Sequence, residues 1–150
     1  MSNYPGQCFC GSIAYDYDTA IAPSDWSIRA CQCAFCRAHD ALSTSDPAGT
    51  LRFHAASPDN LQRFHFAMRT ADFLLCRECG VYIGAVIETE QGHFGIINTH
   101  SLIDTPEDIA AVAPITYDSE DKRGRVGRRE TRWTPVTGVP TRWTPVTSVP

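Results

Sequence analysis

The sequence contains no long hydrophobic run and few basic residues over most of its length. None of its apolar stretches approaches the roughly 18–20 residues that cross a membrane as a helix. The first five residues, Met1 to Pro5, show neither the basic nor the apolar segment of a secretory signal. We therefore expect a cytoplasmic protein with no membrane partner. Its 150 residues, 43% of them hydrophobic, suffice for one domain with a core.

Positive charge is scarce before residue 122. Residues 1–121 hold six Arg and 16 Asp or Glu, a formal charge of −10, whereas residues 122–150 hold one Lys, six Arg and one Glu, a formal charge of +6. An acidic body repels nucleic acid over most of its surface, so a nucleic-acid partner is not expected. The chain thus divides into a body, residues 1–121, and a basic tail, residues 122–150. The tail either folds back on the acidic body or binds a polyanion.

The tail has a composition unlike that of the body. Residues 118–129 are charged and contain glycine, which is typical of a linker. Two nearly identical ten-residue copies follow, at 131–140 and 141–150, with Pro at every fifth residue. Such spacing disfavours helix and central strand, and two copies are too few for a solenoid. We predict a flexible tail, one copy of which can dock through its Trp.

Long amphipathic helices are missing from the body, which we predict to be mainly β. Alternating or Val/Ile/Phe-rich segments predict antiparallel strands. These strands are at residues 12–18, 26–29, 50–54, 61–66, 81–88 and 93–99. Small antiparallel sheets with one or two short helices are the expected fold class.

Two segments carry helix signals. Residues 33–41 predict one short helix. Residues 105–113 are the better candidate, because Thr105 would cap the helix, Pro106 would occupy its first position, and Pro114 would end it.

Seven cysteines stand in three clusters. An odd number excludes a complete set of disulfides, and clustered thiols in a reducing compartment indicate metal or catalysis. Spacings of Cys-x-Cys and Cys-x-x-Cys allow two sulfurs to reach one zinc ion, which thiolates hold tetrahedrally. The clusters are Cys8 and Cys10; Cys31, Cys33 and Cys36; and Cys76 and Cys79.

Seven ligands divide most simply into four and three, which predicts two zinc ions per chain. A closed structural site takes four protein ligands, while a catalytic site commonly takes three and leaves a position open. The predicted closed site is Cys8, Cys10, Cys76 and Cys79, and the open site is Cys31, Cys33 and Cys36. His39 continues the three-residue spacing and is an alternative fourth ligand of the second site. A dithiol redox switch is a further alternative, although the chain lacks the βαβ pattern typical of one.

The order and spacing of these motifs resemble the glutathione-dependent formaldehyde-activating family, which includes centromere protein V. The resemblance covers about residues 4–104. It rests on Gly-Gln-Cys-Phe-Cys-Gly at residues 6–11, Cys-Gln-Cys-Ala-Phe-Cys-Arg at 31–37 and Cys-Arg-Glu-Cys-Gly at 76–80.

The resemblance implies a tent-like arrangement of small β-sheets. It also implies a structural zinc on Cys8, Cys10, Cys76 and Cys79, and an exposed second zinc on Cys31, Cys33 and Cys36 that mediates catalysis. The implied activity joins formaldehyde to glutathione to give S-hydroxymethylglutathione, with the general label of a carbon–sulfur lyase. Arg37, next to the second cluster, would offset its charge or hold a glutathione carboxylate, or would form only a surface ion pair.

The sequence departs from the family pattern at several positions. Gln32 stands where His is frequent, and Asp40 lies where a small residue is expected. His100 occupies a position where Gly is usual, and Ile103 is an insertion. These departures bear on the substrate more than on the fold. The alternatives to an enzyme are a non-catalytic zinc-stabilised binding module that uses the basic tail, and a zinc-gated redox sensor.

Overall fold

A computed structural model describes residues 1–137 of the chain. Within these residues it contains eleven strands and two α-helices. The strands are β1 (Ser2–Gln7), β2 (Ile13–Thr19), β3 (Ile28–Cys31), β4 (Ser43–Thr44), β5 (Thr50–Ala55), β6 (Leu61–Phe64), β7 (Asp72–Cys76), β8 (Tyr82–Thr89), β9 (Gly92–Asn98), β10 (Val112–Ile115) and β11 (Thr134–Pro135). The helices are α1 (Ala34–His39) and α2 (Lys122–Arg132).

The strands form two sheets. The smaller has the order β1-β2-β5, and the larger has the order β10-β3-β4-β9-β8-β7-β6, with β11 also pairing with β9. Every pairing is antiparallel except that of β10 with β3. The predicted fold class is therefore confirmed, and each of the six predicted strands has a counterpart. Among the described residues, no helix is both long and apolar enough to cross a membrane.

The smaller sheet is held by aromatic packing on one face of β2. Residues of β2 alternate between buried and half-buried, so Tyr15 and Tyr17 enter the core while the residues between them face outward. Tyr15 packs edge-on against Phe53 of β5, at 6.0 Å between ring centroids. Gly6 of β1 lies directly against the Tyr15 ring, where a Cβ would come within 2.0 Å of a ring carbon. The close approach of β1 to β2 thus requires glycine at this position.

Strand β8 forms the centre of the larger sheet, between β7 and β9. Its residues from Tyr82 to Ile87 are all buried, so its run of apolar residues is continuous rather than alternating. The backbone of Gly84 passes close to the backbone carbonyl of Ile96, leaving no room for a side chain. This buried strand separates two core clusters, one around Tyr15 and one around Tyr82.

The predicted helix at residues 105–113 is wrong. The segment forms one turn, in which the Ile109 N–H donates to the Pro106 carbonyl at 3.3 Å. The next amide, that of Ala110, donates instead to the carbonyl of Pro23. Its last residues then enter β10, which pairs in parallel with β3. Pairing with distant backbone replaces the local bonds that a helix would need, so tertiary contacts override helix propensity.

The interpretation of residues 118–129 as a linker is also wrong, because α2 begins within them. The Asp121 carboxylate accepts a hydrogen bond from the Gly124 N–H at 2.7 Å and so caps the helix. The two glycines within α2 lower its intrinsic stability as a helix, so tertiary contacts must offset that loss. Trp133, immediately after α2, supplies such a contact because it is only 4% exposed.

The first part of the basic segment therefore packs against the body. Beyond Trp133, β11 pairs with β9, and the Thr137 N–H donates to the Leu51 carbonyl at 2.8 Å. The described part of the first repeat copy, residues 131–137, thus docks through Trp133. The flexibility predicted for the remainder concerns residues 138–150, which lie outside the described residues.

Candidate metal centres and the adjoining cavity

Within residues 1–137, two groups of cysteines bring their sulfurs within 4.8 Å of one another. We call them the four-thiol cluster, formed by Cys8, Cys10, Cys76 and Cys79, and the three-thiol cluster, formed by Cys31, Cys33 and Cys36. These are the two sets expected from the spacing. Among the residues that the structure describes, no other, His39 included, joins either group.

The four-thiol cluster joins the turn after β1 to the end of β7. The Cys10 sulfur lies 3.7 Å from the sulfur of Cys8 and 3.5 Å from that of Cys76. Cys8 and Cys76 are each 1% exposed and belong to the hydrophobic core around Tyr15. The cluster thus connects residues far apart in sequence, with two buried sulfurs, a half-buried Cys79 and an exposed Cys10.

Backbone amides point at these sulfurs. The Ile13 N–H donates to the Cys8 sulfur, and the Cys79 N–H donates to the Cys76 sulfur, each at 3.4 Å. Gly80, at a φ of +80°, allows the chain to turn back after Cys79. Amides directed at sulfur favour the thiolate, the form that binds metal.

The electrostatics of the four-thiol cluster match a cation site. A hydrogen bond with the Ser12 hydroxyl lowers the pKa of Cys10 to about 6. Burial raises the pKa of Cys76 to about 12. One sulfur is thus readily ionised while its neighbour keeps a proton. A positive ion would be needed to hold all the sulfurs as thiolates, and four sulfurs suit a tetrahedral metal ion.

The three-thiol cluster is local in sequence. Cys31 ends β3, Cys33 caps α1, and Cys36 lies in the first turn of that helix. The Cys33 sulfur accepts the Cys36 N–H at 3.4 Å, so a candidate ligand also serves as the helix cap. Asp40 follows the helix in the left-handed conformation, at a φ of 50°.

Protons are shared unequally within the three-thiol cluster. Hydrogen bonds from Cys31 and then Cys36 lower the pKa of Cys33 to about 2. The same contacts, with burial, raise the pKa of Cys36 far above its usual value. Without a cation the cluster therefore holds one thiolate between two thiols. Three thiolates together would suit a divalent metal ion with one position left for another ligand.

Aromatic rings surround this cluster on the side away from solvent. The Tyr82 hydroxyl is buried without a hydrogen-bond partner, and burial, then the charge of Cys36, raises its pKa well above the usual value. The Phe35 ring contacts the rings of both Tyr82 and His39, at 5.3 Å and 4.5 Å between centroids. His39 is exposed and packs on this ring. Tyr82, which the sequence did not single out, is brought to the cluster by the central strand β8.

A cavity of about 260 Å³ opens beside the three-thiol cluster, and all three cysteines line it. One part of its lining is apolar and consists chiefly of Phe66, Phe73, Ile96 and Trp133. Another part carries four arginines, namely Arg29, Arg125, Arg128 and Arg129. No role was predicted for these arginines from the sequence, because three of them lie in α2, within the segment interpreted as a linker. Arg37 is exposed and is not among the lining residues.

The arginines of α2 differ in their partners. Arg128 donates to Glu120 at 2.7 Å and 3.1 Å and covers the Tyr117 ring at 3.6 Å. Arg125 also lies 3.6 Å from the Glu120 carboxylate. Arg129 is 8% exposed and donates to the Thr70 hydroxyl at 2.6 Å.

Two of the departures from the family pattern meet in space. The His100 Nε2 atom lies 3.4 Å from an Asp40 carboxylate oxygen, on the exposed side of α1. Between them and the core, the Asn98 side chain accepts the Leu42 N–H and donates to the Tyr82 carbonyl. The loop after β9 is thus tied to the segment after α1.

The fold and site define a small β-protein with two thiol clusters suited to metal ions, one joining distant parts of the chain and one beside a cavity. The chain belongs to the glutathione-dependent formaldehyde-activating enzyme family, which matches residues 3–119. The resemblance drawn from the cysteine motifs is therefore confirmed. Membership connects the chain with glutathione and formaldehyde as small-molecule partners.

The chain is also similar to a Rhodobacter sphaeroides protein whose crystal structure was solved as a structural-genomics target. The two share 26% identity, with a TM-score of 0.56, over 74% of this chain and 99% of the other. No curated protein gives a significant match. Helix α2, at residues 122–132, lies beyond the family match.

Proposed function

We propose that the protein is a zinc-dependent enzyme of the carbon–sulfur lyase type that joins the thiol of glutathione to formaldehyde, giving S-hydroxymethylglutathione. The observation that carries this proposal is the cavity beside the three-thiol cluster. Thiols that could hold a metal ion, an apolar surface and four guanidinium groups meet in one space. Family membership supports the same pair of substrates.

We assign one zinc ion to each cluster. The four-thiol cluster has the ligand number of a closed structural site, and its burial in the core supports that role. The three-thiol cluster has the ligand number of an open site. Zinc held by Cys31, Cys33 and Cys36 would supply a Lewis acid that lowers the pKa of a bound thiol.

The reaction needs no oxidant. The substrate sulfur attacks the carbonyl carbon, a C–S bond forms, and the C=O bond becomes a C–O single bond. The proton lost by the thiol ends on the new hydroxyl oxygen. Phe66, Phe73 and Trp133 limit water around the sulfur, and the arginines attract the substrate's negative charge. Seven free cysteines support a reducing compartment such as the cytoplasm.

The alternative, a non-catalytic module that binds polyanions through the basic segment, has less support. Arg125, Arg128 and Arg129 line the cavity instead of forming an outer basic face, and two of them pair with Glu120. Lys122 and Arg123 are the exposed cations at the start of α2. Binding of RNA that strengthens steeply as salt falls would support this alternative.

The decisive experiment uses the full chain with cobalt in place of zinc. We expect two metal ions per chain and an absorption spectrum that changes when glutathione is added. Exchange between formaldehyde and S-hydroxymethylglutathione, followed by NMR, should exceed the spontaneous rate. Cys33→Ser should return exchange to that rate. Gln32→Ala, an exposed change between two of the thiols, is the matched control.

A spectrum indifferent to glutathione would overturn the proposal. So would exchange at the spontaneous rate in the wild-type protein with both metal ions bound.

A further inference from the structure

We propose that α2 and Arg29 form a carboxylate-binding subsite for the thiol substrate, with Arg129 as its central residue. This inference rests on the proposed function, because it concerns the substrate of the same cavity. It assigns selection of the substrate to a helix that lies outside the family match at residues 3–119. The family domain contributes the thiols, and the appended helix contributes most of the positive charge.

Two of the four cavity arginines already have a carboxylate partner. Arg125 and Arg128 both lie within ion-pair distance of Glu120, and Arg128 also stacks on Tyr117. These contacts hold the segment before α2 against the helix. Glu120 offsets one of their two positive charges, so the pair contributes less to attraction of a ligand than two unpaired arginines would.

Arg129 has no carboxylate partner among the described residues. Only 8% of the residue is exposed, and its polar contact is with the neutral hydroxyl of Thr70. Its Nε atom is buried without a hydrogen-bond partner. The Trp133 ring, 4.9 Å from the guanidinium carbon, contributes a cation–π contact but accepts no hydrogen bond from that atom. A buried charge is costly unless it is paired, so this guanidinium favours an anion in the cavity.

Arg29 is the other cavity arginine without an ion pair among the described residues. It comes from β3, two residues before Cys31, and donates to the Ser45 hydroxyl at 2.9 Å. Among residues 1–137, neither Arg29 nor Arg129 forms an ion pair. Asp118 also lines the cavity, but it is exposed and likewise forms no ion pair within the described residues. The cavity therefore has uncompensated positive charge beside its thiols.

The chemistry of the substrate matches this arrangement. Glutathione carries a carboxylate at each end and its thiol between them, and guanidinium groups bind carboxylates with two parallel hydrogen bonds. The cavity of about 260 Å³ is at the small end for a ligand site, where roughly 300–1,000 Å³ is typical. We infer that it takes one carboxylate-bearing end of the tripeptide while the sulfur meets the three-thiol cluster.

The test compares thiols with and without carboxylates on the full-length, cobalt-loaded protein. Glutathione, its diethyl ester and 2-mercaptoethanol are titrated by absorption and by calorimetry. We expect the wild type to bind glutathione about 10-fold or more tightly than the diester, as a charge-assisted hydrogen bond would provide. Arg129→Gln should reduce that preference to about twofold or less, and Arg129→Lys should keep part of it.

Arg123→Gln is the matched control, because it removes an exposed charge from the same helix without touching the cavity. It should leave the preference unchanged. If circular dichroism shows that Arg129→Gln does not fold, Arg29→Gln is tested in its place. It should reduce the preference for glutathione over the diester in the same way.

The two proposals fail differently. If no thiol alters the cobalt spectrum, the proposed function is overturned. If glutathione and its diester both alter the spectrum with equal affinity, the carboxylate subsite is overturned and the proposed function stands. An unchanged preference in folded Arg129→Gln would also overturn the subsite.

Discussion

The two thiol clusters have the same donor atoms but different surroundings. The four-thiol cluster joins the start of the body to its middle, and its Cys8 and Cys76 lie in the core around Tyr15. The three-thiol cluster comes from six consecutive residues and lines a cavity. The first connects distant parts of the chain, and the second presents its sulfurs to an open space.

This difference shows that ligand chemistry alone does not assign a role to a cysteine cluster. Both clusters have backbone amides directed at sulfur and thiols with unequal pKa values. Chain separation and access to a cavity distinguish them. Four mutations test whether the distinction is real, and we give them in order of the expected effect on metal and ligand binding.

The largest effect should come from Cys76→Ser in the four-thiol cluster. Cys76 is 1% exposed, and a structural zinc ion contributes its binding energy directly to folding. We expect most of the chain to be unfolded at neutral pH, measured by circular dichroism together with metal content. Retention of native circular dichroism with one metal ion lost would show that this cluster is not structural.

Cys33→Ser in the three-thiol cluster should have a different outcome. Serine can replace the Cys33 sulfur as cap of α1, so the helix should persist. We expect metal content to fall from two ions to one, with a change of about 1 kcal/mol or less in the free energy of unfolding. Equal unfolding by this variant and by Cys76→Ser would remove the contrast between the clusters.

Trp133→Ala tests whether the cavity depends on the docking of α2. Removing a buried Trp should lower the free energy of unfolding by about 3–5 kcal/mol, measured by urea titration. The four-thiol cluster should keep its metal ion while affinity for glutathione falls. Ile103→Ala, which truncates an apolar side chain that is 52% exposed, is the control and should change stability little. Unaltered affinity would show that α2 does not shape the site.

Glu120→Gln should produce the smallest change. A hydrogen bond from Arg128 lowers the pKa of Glu120, so its ionised form stabilises the fold at pH values above the unfolded pKa of about 4.3. That contribution disappears as pH falls through the folded pKa. The variant should lose about 1 kcal/mol or less at pH 7, and the difference should shrink as pH falls below about 4.3 and vanish once pH is well below the folded pKa. The difference in the free energy of unfolding between the wild type and Glu120→Gln is measured at each pH. This comparison separates the effect of Glu120 from the loss of metal in acid.

A difference in stability that did not shrink as pH fell below about 4.3 would contradict this account. The same variant should bind glutathione somewhat more tightly at pH 7, because Arg125 and Arg128 lose their carboxylate partner.

The sequence predicted the features that depend on spacing along the chain. Cysteine spacing predicted both clusters, and alternation predicted the strands around Tyr15 and Tyr17. Strand β1 was missed because Pro5 and Gly6 interrupt its pattern, yet β1 lies at the edge of its sheet, where proline is tolerated. The buried strand β7 was missed as well.

Features that depend on distant contacts could not be predicted in this way. The segment with helix signals at 105–113 found backbone partners elsewhere, and α2 acquired stability from a buried Trp133. The cavity combines residues of β3, α1, β4, the β6–β7 connection, β7, β9 and α2 with the segment before it. No local pattern indicates that such separated stretches meet.

The position of α2 also bears on how such a protein can diversify. Cys31, Cys33 and Cys36 lie inside the family domain, whereas Arg125, Arg128 and Arg129 are encoded about 90 residues later, beyond it. Substitution or replacement of the later stretch can alter what the cavity accepts while every sulfur stays in place. Over generations, chemistry and selectivity are thus free to change by separate genetic events.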